Sequence, residues 1–246
     1  RTRAGAPPVA RKPREPAAAA ASTSAGVEGP PAMGATMICG MSMCERLAVV
    51  FKLLDLFRLF RRQQTPDLTA DWIILGLGNP GPKYAATRHN VGYMAVDELL
   101  DGQPLTPLPG AKAHYARLRI AGQDVLVLRS TTYMNLSGEA LAGLDVRAEK
   151  IIAIHDELDL PVGTVRVKKG GNENGHNGLK SMTGHLGTRD YLRVRIGIAR
   201  PPQGVSVTDH VLGPVDGGEN ISLAAEATRL IIEQGLSKAQ NVIHSR

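Results

Sequence analysis

Apolar residues recur along positions 71–246 with two different periods. Short apolar runs and two-residue alternation predict strands at 72–77, in HYARLRI and DVLVLRS on either side of an Ala-Gly-Gln turn, and in IIAIHDELD, TVRVKKG and YLRVRIGIA. Helical spacing predicts helices in NVGYMAVDELLDG, LSGEALAGLDV, HNGLKSMTGHLG and ENISLAAEATRLIIEQG. This alternation predicts one α/β domain of three layers, a twisted, mixed and mostly parallel sheet with helices on both faces.

Positions 1–70 differ from this pattern. They begin with a low-complexity segment rich in Ala, Pro, Arg and Ser, which offers too little apolar surface to offset its chain entropy, so we expect it to be disordered. The following MCERLAVVFKLLDLFRLFRRQQ has apolar residues at helical spacing with Lys and Arg between them, which predicts a basic amphipathic helix. Its charges exclude a membrane span. We expect this leader to lie outside the fold of the domain at 71–246.

The basic amphipathic helix has three interpretations. It could be an organellar transit segment or a helix that docks on a surface. It could also be upstream sequence that does not belong to the working protein, which the missing Met and the unusual composition favour.

Charge is distributed unevenly along the chain. The whole sequence carries 29 Lys and Arg against 23 Asp and Glu, of which 10 basic and 5 acidic residues precede position 71, so the domain itself is almost neutral. Within it, positions 166–200 hold eight basic residues and two acidic ones. A focused excess of this kind favours a polyanionic partner over a merely solvated sheet face.

Both cysteines, Cys39 and Cys44, fall in the leader. The domain therefore has no disulfide, no thiolate nucleophile and no Cys-ligated metal, as fits a reducing compartment. We expect a cytoplasmic protein.

Candidate catalytic residues follow two predicted strands. Asn79 lies in a Gly- and Pro-rich loop after the first strand, where such a loop can hold one defined pose. His89 follows, and its side chain suits proton transfer near neutral pH. If the strand ending at His155 is buried, Asp156 emerges at its mouth and can orient the imidazole of His89. The alternative for this acidic segment is a charged turn.

No Ser or Thr of the domain lies in a nucleophile-elbow motif. His89 and Asp156 therefore predict direct attack by water rather than an acyl-enzyme. A metal site built from His89, His155, His176 and Asp156 is a second possibility. The sequence has no pair of histidines at the helical spacing of a zinc motif to support it.

Three asparagines occupy similarly constrained positions. Asn79, Asn135 and Asn177 each follow a predicted strand or begin a predicted helix. An amide offers a donor and an acceptor whose charge does not change with pH, so it can orient an amide-bearing substrate or stabilise an oxyanion. The structural alternative is a cap or turn residue, and Asn177 in particular could be an N-cap.

These residues stand in motifs that resemble a known family. GLGNPGPKYAATRHNVG, TTYMNLSG, HDELDLP with Gly163, GGNENGHNGLKS, LRVRIGI and GLSKAQN together are similar to the bacterial-type peptidyl-tRNA hydrolases, over positions 72–244. The resemblance implies a single α/β domain with a twisted mixed sheet. It also implies hydrolysis of the ester that joins a peptide to the terminal ribose of tRNA, with no metal or other cofactor.

The resemblance also implies roles for individual residues. His89 matches the catalytic base, Asp156 its carboxylate partner, and Asn79 the residue that distinguishes blocked peptidyl-tRNA from free aminoacyl-tRNA. Further positions match residues that contact the substrate, namely Tyr84, Tyr133, Met134, Asn135 and Asn177, and basic residues for the acceptor-stem phosphates, namely Lys168, Arg193 and Arg195. The sequence departs from the family at Asn172, Glu173 and Asn174, where Gly or His is common. We expect a monomer that acts on peptidyl-tRNA.

Two other functions remain possible from the sequence. One is a non-catalytic RNA-binding protein on the same fold, against which the retained His89, Asp156 and Asn79 argue. The other is a peptidase or phosphorylase of similar architecture, against which the basic segment and the absence of a metal-ligand set argue.

Overall fold

The computed structural model describes residues 68–145 and 147–246, so the predictions for the disordered segment and the basic helix lie outside the described residues. Seven strands form one sheet: β1 Trp72–Gly76, β2 Thr106–Pro107, β3 Ala113–Ile120, β4 Gln123–Ser130, β5 Ile151–Glu157, β6 Val165–Lys169 and β7 Leu192–Gly197. Within the described residues five α-helices accompany it: α1 Val91–Leu100, α2 Asn177–Leu186, α3 Val207–Leu212, α4 Ile221–Gln234 and α5 Leu236–Ile243.

The sheet is mixed, in the order β2-β3-β4-β1-β5-β7-β6. Its four central strands, β4, β1, β5 and β7, run parallel, whereas β2 and β3 at one edge and β6 at the other pair antiparallel. Because both faces of the central strands are covered, β1 and β5 are buried at every position, and β1 and residues 151–154 of β5 are continuous apolar runs rather than alternating ones.

Two hydrophobic clusters lie on opposite faces of the sheet. Alternate residues of the strands, such as Ile74 and Ile152, pack with the apolar sides of α1, α4 and α5. Their neighbours Ile73 and Ile151 pack with α2 and with a 3₁₀ segment at Met134–Leu141. The side chains of a strand point alternately to the two faces, so each strand contributes to both clusters. The predicted three-layer α/β fold is confirmed.

The order of the strands brings three carboxyl ends together at one edge of the sheet. From β1 the chain passes through α1, β2 and β3 to β4 on one side, and then crosses to β5 on the other side of β1. The carboxyl ends of β4, β1 and β5 therefore lie together where the direction of strand addition reverses, and open α/β sheets bind ligands at such a point.

Several predicted elements have different bounds or types. The regular helix predicted in LSGEALAGLDV is wrong, because the chain forms a 3₁₀ segment from Met134 to Leu141 instead. Its Gly138 packs so closely on α2 that a Cβ there would lie 2.5 Å from the carbonyl oxygen of Ser181. Helices α3 and α5 were not predicted from the periodicity. Gly235 ends α4 as predicted, but α5 begins directly after it.

The packed domain begins earlier than position 71. Leu68 and Ala70 pack against the cluster that contains Ile73, and the carbonyl of Thr69 accepts a hydrogen bond from Arg117. At least three positions assigned to the leader therefore belong to the domain. In the part of the chain that the structure describes, no helix is long and apolar enough to cross a membrane.

Candidate active site

His89 and Asp156 form a direct hydrogen bond. His89 lies in a 3₁₀ turn, Arg88–Asn90, and its Nδ1 is 2.9 Å from Oδ1 of Asp156. The carboxylate only accepts, so Nδ1 carries the proton and Nε2 is left with a lone pair on the wall of the cleft. Burial alone would lower the pKa of His89, but the charge and hydrogen bond of Asp156 outweigh it, and the pKa is raised. The ring is thereby held as a base.

Asp156 lies inside β5 rather than beyond its end. The strand continues to Glu157, and only 3% of the Asp156 side chain is exposed, so the prediction that Asp156 emerges after a strand ending at His155 is wrong in this detail. Burial by itself raises the pKa of a carboxyl group, yet His89 and His176 together hold the pKa of Asp156 well below its usual value. The carboxylate stays ionised although it is buried.

A second histidine bonds the same carboxylate oxygen. His176 is the N-cap of α2, where its Nδ1 accepts from the backbone N–H groups of Gly178 and Leu179 at 3.1 and 3.3 Å. Its Nε2 must therefore carry the proton, which it donates to Oδ1 of Asp156 at 3.0 Å. The sequence motifs indicate His176 only as a possible metal ligand. Its position as the first residue of the helix predicted in HNGLKSMTGHLG was the available signal, but histidine is not among the preferred N-caps.

His155 lies behind this pair. Its ring is fully buried, its Nδ1 is 2.6 Å from the carbonyl oxygen of Asp156, and its Nε2 has no partner among the described residues. Burial, with His176 nearby, holds the pKa of His155 well below its ordinary value, so the ring is neutral. It packs edge-on against His176, with the two ring centroids 5.1 Å apart.

Asn79 is fixed by three hydrogen bonds. Its Oδ1 accepts from the backbone N–H of Met134 at 2.8 Å. Its backbone N–H and C=O both bond the side chain of Asn90 at 2.9 Å. The remaining Nδ2 donates to no described residue, and Asn79 lines the cleft, so this amide N–H₂ can meet a substrate acceptor.

The cleft has a volume of about 680 Å³. Its wall contains six of the residues predicted from the sequence, Asn79, His89, Met134, Asn135, Asp156 and Asn177. Asn135 and Asn177 are exposed, whereas Met134 is buried. Asn177 is the first residue of α2 and not its N-cap, because the side chain of His176 takes that position.

Tyr84 and Tyr133 lie together, but neither is part of the cleft wall. Their ring centroids are 6.3 Å apart in an edge-to-face arrangement, and Tyr133 is 58% exposed. Tyr133 directly precedes Met134 and Asn135, so this aromatic pair lies next to the cleft along the chain. An exposed aromatic side chain of this kind offers a surface on which a nucleobase can stack.

The three predicted phosphate-binding residues share one face of the sheet but differ in availability. Lys168 on β6 lies directly opposite Arg193 on β7, and Arg195 faces the same side two residues further along. Lys168 is partly exposed, and its Nζ lies close to Gly171. Burial and the two neighbouring guanidinium groups lower the pKa of Lys168.

Arg193 cannot reach a ligand in this structure. Its side chain is 0% exposed, and it donates to the carbonyl oxygens of Asn172 and Gly171 at 2.7 and 2.8 Å while lying over the ring of Tyr191. The side chain therefore has no exposed surface from which to make the predicted phosphate contact in this structure. It holds the loop before α2 against the sheet instead.

The positive surface is smaller than the sequence count suggests. Three basic residues of positions 166–200 pair with carboxylates, Arg195 with Glu157, Arg189 with Glu173 and Arg200 with Asp159. Two of those carboxylates precede the segment, so a count along the sequence omits them. The cations of this segment that form no ion pair with a described residue are Arg166, Lys168, Lys169, Lys180 and the buried Arg193.

Glu173 does not present a free negative charge. Its carboxylate is buried and accepts from Arg189, at 2.7 and 3.2 Å, and from the hydroxyl of Thr183. The hydrogen bonds from Arg189 lower the pKa of Glu173 to about 2. The departure from the family at this position is thus compensated by residues of α2 and of the segment that follows it.

His89, Asp156 and His176 are close enough together to hold a metal ion. The hydrogen bonds of His176 argue against that use. Its Nδ1 already accepts from two backbone N–H groups, so a metal on Nε2 would require a ring with no proton at all. A ligating histidine ordinarily keeps a proton on its other nitrogen. The donor set does not fit a metal through His176.

The cleft lies at the carboxyl ends of the parallel strands and holds a basic imidazole, oriented by a buried carboxylate, beside several amide groups. This arrangement is that of a hydrolase. The chain belongs to the peptidyl-tRNA hydrolase family, whose model matches residues 73–246.

Individual relatives agree with that membership. The chain is 61% identical over 190 residues to a protein named peptidyl-tRNA hydrolase 2 from Corynebacterium glutamicum, covering 74% of this chain and 92% of the relative. It is 44% identical over 193 residues to a peptidyl-tRNA hydrolase from Frankia casuarinae, covering 74% and 98%. A crystal structure of peptidyl-tRNA hydrolase from Acinetobacter baumannii superposes with a TM-score of 0.62 at 35% identity, covering 70% of this chain and 93% of that one.

Proposed function

We propose that this protein hydrolyses the ester bond between the peptide and the terminal ribose of peptidyl-tRNA, releasing peptide and free tRNA. The observation that carries the proposal is the 2.9 Å hydrogen bond between His89 and Asp156 in a cleft that Asn79 also lines. This arrangement supports a base for water and an amide for the substrate in one place. The alternative of a non-catalytic RNA-binding protein leaves the paired imidazole and carboxylate without a use.

The base is Nε2 of His89. It takes a proton from water, and the oxygen of that water attacks the ester carbonyl carbon. The imidazolium that forms is stabilised by the charge of Asp156, and it returns the proton to the ribose oxygen as the ester bond breaks. General base catalysis of this kind contributes about 10²- to 10⁴-fold to a rate. No metal or cofactor takes part in this scheme.

The amides of the cleft hold the acyl part of the substrate. Asn79 offers Nδ2 to a carbonyl of the peptide next to the scissile ester, which favours an N-blocked aminoacyl group over a free one. Asn135 and Asn177 also line the cleft and contact the substrate, and Met134 supplies an apolar surface. Tyr84 and Tyr133 receive the single-stranded end of the tRNA, because exposed aromatic rings stack with bases of any sequence.

Lys168 and Arg195 contact phosphates of the acceptor stem. Both lie on the sheet face that carries Arg166, and phosphate contacts position an RNA without reading its sequence, as an enzyme that serves many tRNAs requires. Arg195 keeps Glu157 as a partner, so Lys168 contributes more of the free positive charge. The enzyme acts as a monomer in the cytoplasm, where translation supplies its substrate.

A direct test compares N-acetyl-lysyl-tRNA with lysyl-tRNA as substrates, with and without a chelator. We expect release of the blocked amino acid only, at the same rate with chelator. His89→Ala should abolish release while leaving tRNA affinity and the unfolding midpoint nearly unchanged. Hydrolysis by the variant at the wild-type rate would show that His89 is not the base, and binding of tRNA with no hydrolysis by the wild type would favour the RNA-binding alternative.

A further inference from the structure

Asn90 follows His89 directly and is almost completely buried, with 1% of its surface exposed. Its side chain forms two hydrogen bonds with the backbone of one residue, Asn79. The Oδ1 of Asn90 accepts from the Asn79 N–H at 2.9 Å, and the Nδ2 donates to the Asn79 carbonyl at 2.9 Å. Asn90, which adjoins the proposed base His89, therefore fixes the backbone of Asn79, the residue proposed to recognise the substrate.

The amide group suits this task better than other side chains of its size. A primary amide places a donor and an acceptor side by side, which matches the N–H and C=O of a single backbone residue. The opposite orientation of the amide would place donor against donor and acceptor against acceptor, so the geometry also determines which atom is oxygen. Asp lacks the donor and Leu lacks both groups.

Asn90 gives up another favourable interaction to make these bonds. It occupies the N-cap position of α1, where an Asn side chain ordinarily accepts a hydrogen bond from the first turn of the helix. The side chain makes no such bond here. Helix α1 begins without a side-chain cap, and the amide is directed to the loop after β1 instead.

The two bonds complete the fixation of Asn79. Met134 holds the side-chain oxygen of Asn79, and Asn90 holds its backbone. With the backbone and the side-chain oxygen both fixed, the position of Nδ2 is determined, whereas either contact alone would leave the residue free to turn. Displacements of about 1 Å at a reacting centre can cost 10²-fold in rate.

We propose that Asn90 is a positioning residue, which sets the recognition of the blocked aminoacyl group by fixing Asn79. This inference rests on the role proposed above for Asn79. Asn90 touches no substrate itself. Its effect on catalysis should therefore pass through the Asn79 side chain and disappear when that side chain is removed.

A double-mutant cycle tests this dependence. We would measure kcat/KM for N-acetyl-lysyl-tRNA with the wild type, Asn90→Ala, Asn79→Ala and the double variant. We expect Asn90→Ala to lower kcat/KM by about 10- to 100-fold in the wild-type background and by less than about threefold in the Asn79→Ala background. The affinity for uncharged tRNA should stay within about twofold of the wild type in all four proteins.

Asn90→Asp provides a second test that does not depend on a cavity. An ionised carboxylate cannot donate to the Asn79 carbonyl, but a protonated carboxyl group can both accept and donate, and burial favours the protonated form. The ratio of variant to wild-type kcat/KM should therefore rise several-fold between about pH 8 and about pH 6. Dividing by the wild-type value removes the part of the pH dependence that both proteins share.

Asn220→Ala is the matched control. Asn220 caps α4 by accepting from the N–H of Leu223, and α4 packs on the sheet through a different hydrophobic cluster from that of Met134. This variant should lose stability and keep wild-type kcat/KM.

Equal losses from Asn90→Ala in both backgrounds, or an Asn90→Asp ratio that does not change with pH, would overturn the inference. A wild-type kcat/KM for Asn79→Ala would also overturn it, while leaving the proposed hydrolysis itself intact. Failure of the proposed function is distinguishable, because the wild type would then release no blocked amino acid at all.

Discussion

His176 and Asp156 are joined by a 3.0 Å hydrogen bond in which the imidazole has only one possible donor. The other ring nitrogen of His176 accepts from the first turn of α2 and therefore carries no proton. Helix α2 thus fixes the His176 ring that donates to the Asp156 carboxylate, and this carboxylate in turn orients His89. A rigid scaffold of this kind holds a catalytic pair within the tolerance that reaction requires.

Replacing His176 by Ala should change the pH dependence of the reaction. Without this donor, the Asp156 carboxylate offers its full charge to His89, so the pKa of His89 should rise further and the acidic limb of kcat/KM should move to higher pH. We also expect kcat to fall by about 3- to 30-fold, because the carboxylate becomes less firmly held. The measurement is kcat/KM for N-acetyl-lysyl-tRNA as a function of pH.

His185→Ala is the control for that variant. His185 lies exposed in the last turn of the same helix and is not part of the cleft wall. Its pH profile should coincide with that of the wild type. An unchanged profile for His176→Ala would contradict a connection between this histidine and the charge of Asp156.

Asp156→Asn should remove both the charge and the tautomer that the base needs. The amide can donate to Nδ1 of His89, which places the imidazole proton on Nε2 and prevents that atom from accepting one from water. We expect kcat to fall by about 10³-fold or more. The residual activity should have its acidic limb at lower pH than the wild type, because Asp156 raises the pKa of His89. A limb that moves to higher pH would contradict this arrangement.

Lys168→Ala should weaken tRNA binding without affecting the chemical step. One lost phosphate contact should reduce the slope of log affinity against log salt concentration by about 1. Lys238 is an exposed residue of α5, a helix that packs on the other face of the sheet. Lys238→Ala should leave the slope unchanged. An equal effect of both substitutions would indicate that only net charge matters.

Arg193→Ala should act on stability. It removes a fully buried side chain together with two hydrogen bonds to the loop before α2, which should lower the free energy of unfolding by about 2–4 kcal/mol. Urea unfolding measures this change. The salt dependence of tRNA binding should keep its wild-type slope, and a slope reduced as in Lys168→Ala would show that Arg193 does reach a phosphate.

Two glycines near α2 should respond oppositely to alanine. At Gly138 a Cβ would lie 2.5 Å from the carbonyl oxygen of Ser181, so Gly138→Ala should destabilise the protein by about 1–3 kcal/mol. Gly184, inside α2, has no atom within 4 Å of an added Cβ, so Gly184→Ala should stabilise by about 0.5–1 kcal/mol through helix propensity. Thermal unfolding of both variants measures the difference, and a shift of the same sign in both would contradict the close packing at Gly138.

Most of the fold could be predicted from local pattern. Strands β1, β3, β4, β5, β6 and β7 and helices α1, α2 and α4 follow from apolar periodicity and glycine positions, because burial on one or both faces leaves a period in the sequence. The segment at Met134–Leu141 could not be predicted as 3₁₀, because its geometry depends on contact with α2, a partner distant along the chain.

The candidate site divides in the same way. The sequence predicted correctly that Asn79 and Asn135 follow strands and that Asn177 begins a helix, whereas Asp156 lies inside β5 rather than beyond its end. It could not show that His176 completes the carboxylate network or that Asn90 grips Asn79, because both interactions join residues through space in orientations that spacing does not record. It also overstated the positive surface, since Glu157 and Asp159 pair with cations that lie far along the chain.

The sequence by itself determined the class of fold and the chemical groups available at the carboxyl edge of the sheet, because hydrophobic period and residue type are local properties. Only the tertiary structure decided which of those groups are paired. Arg193 is buried rather than available, and Asp156 has two donors rather than one. Pairing and burial depend on what the rest of the chain brings within hydrogen-bonding distance, and a one-dimensional pattern contains no distances.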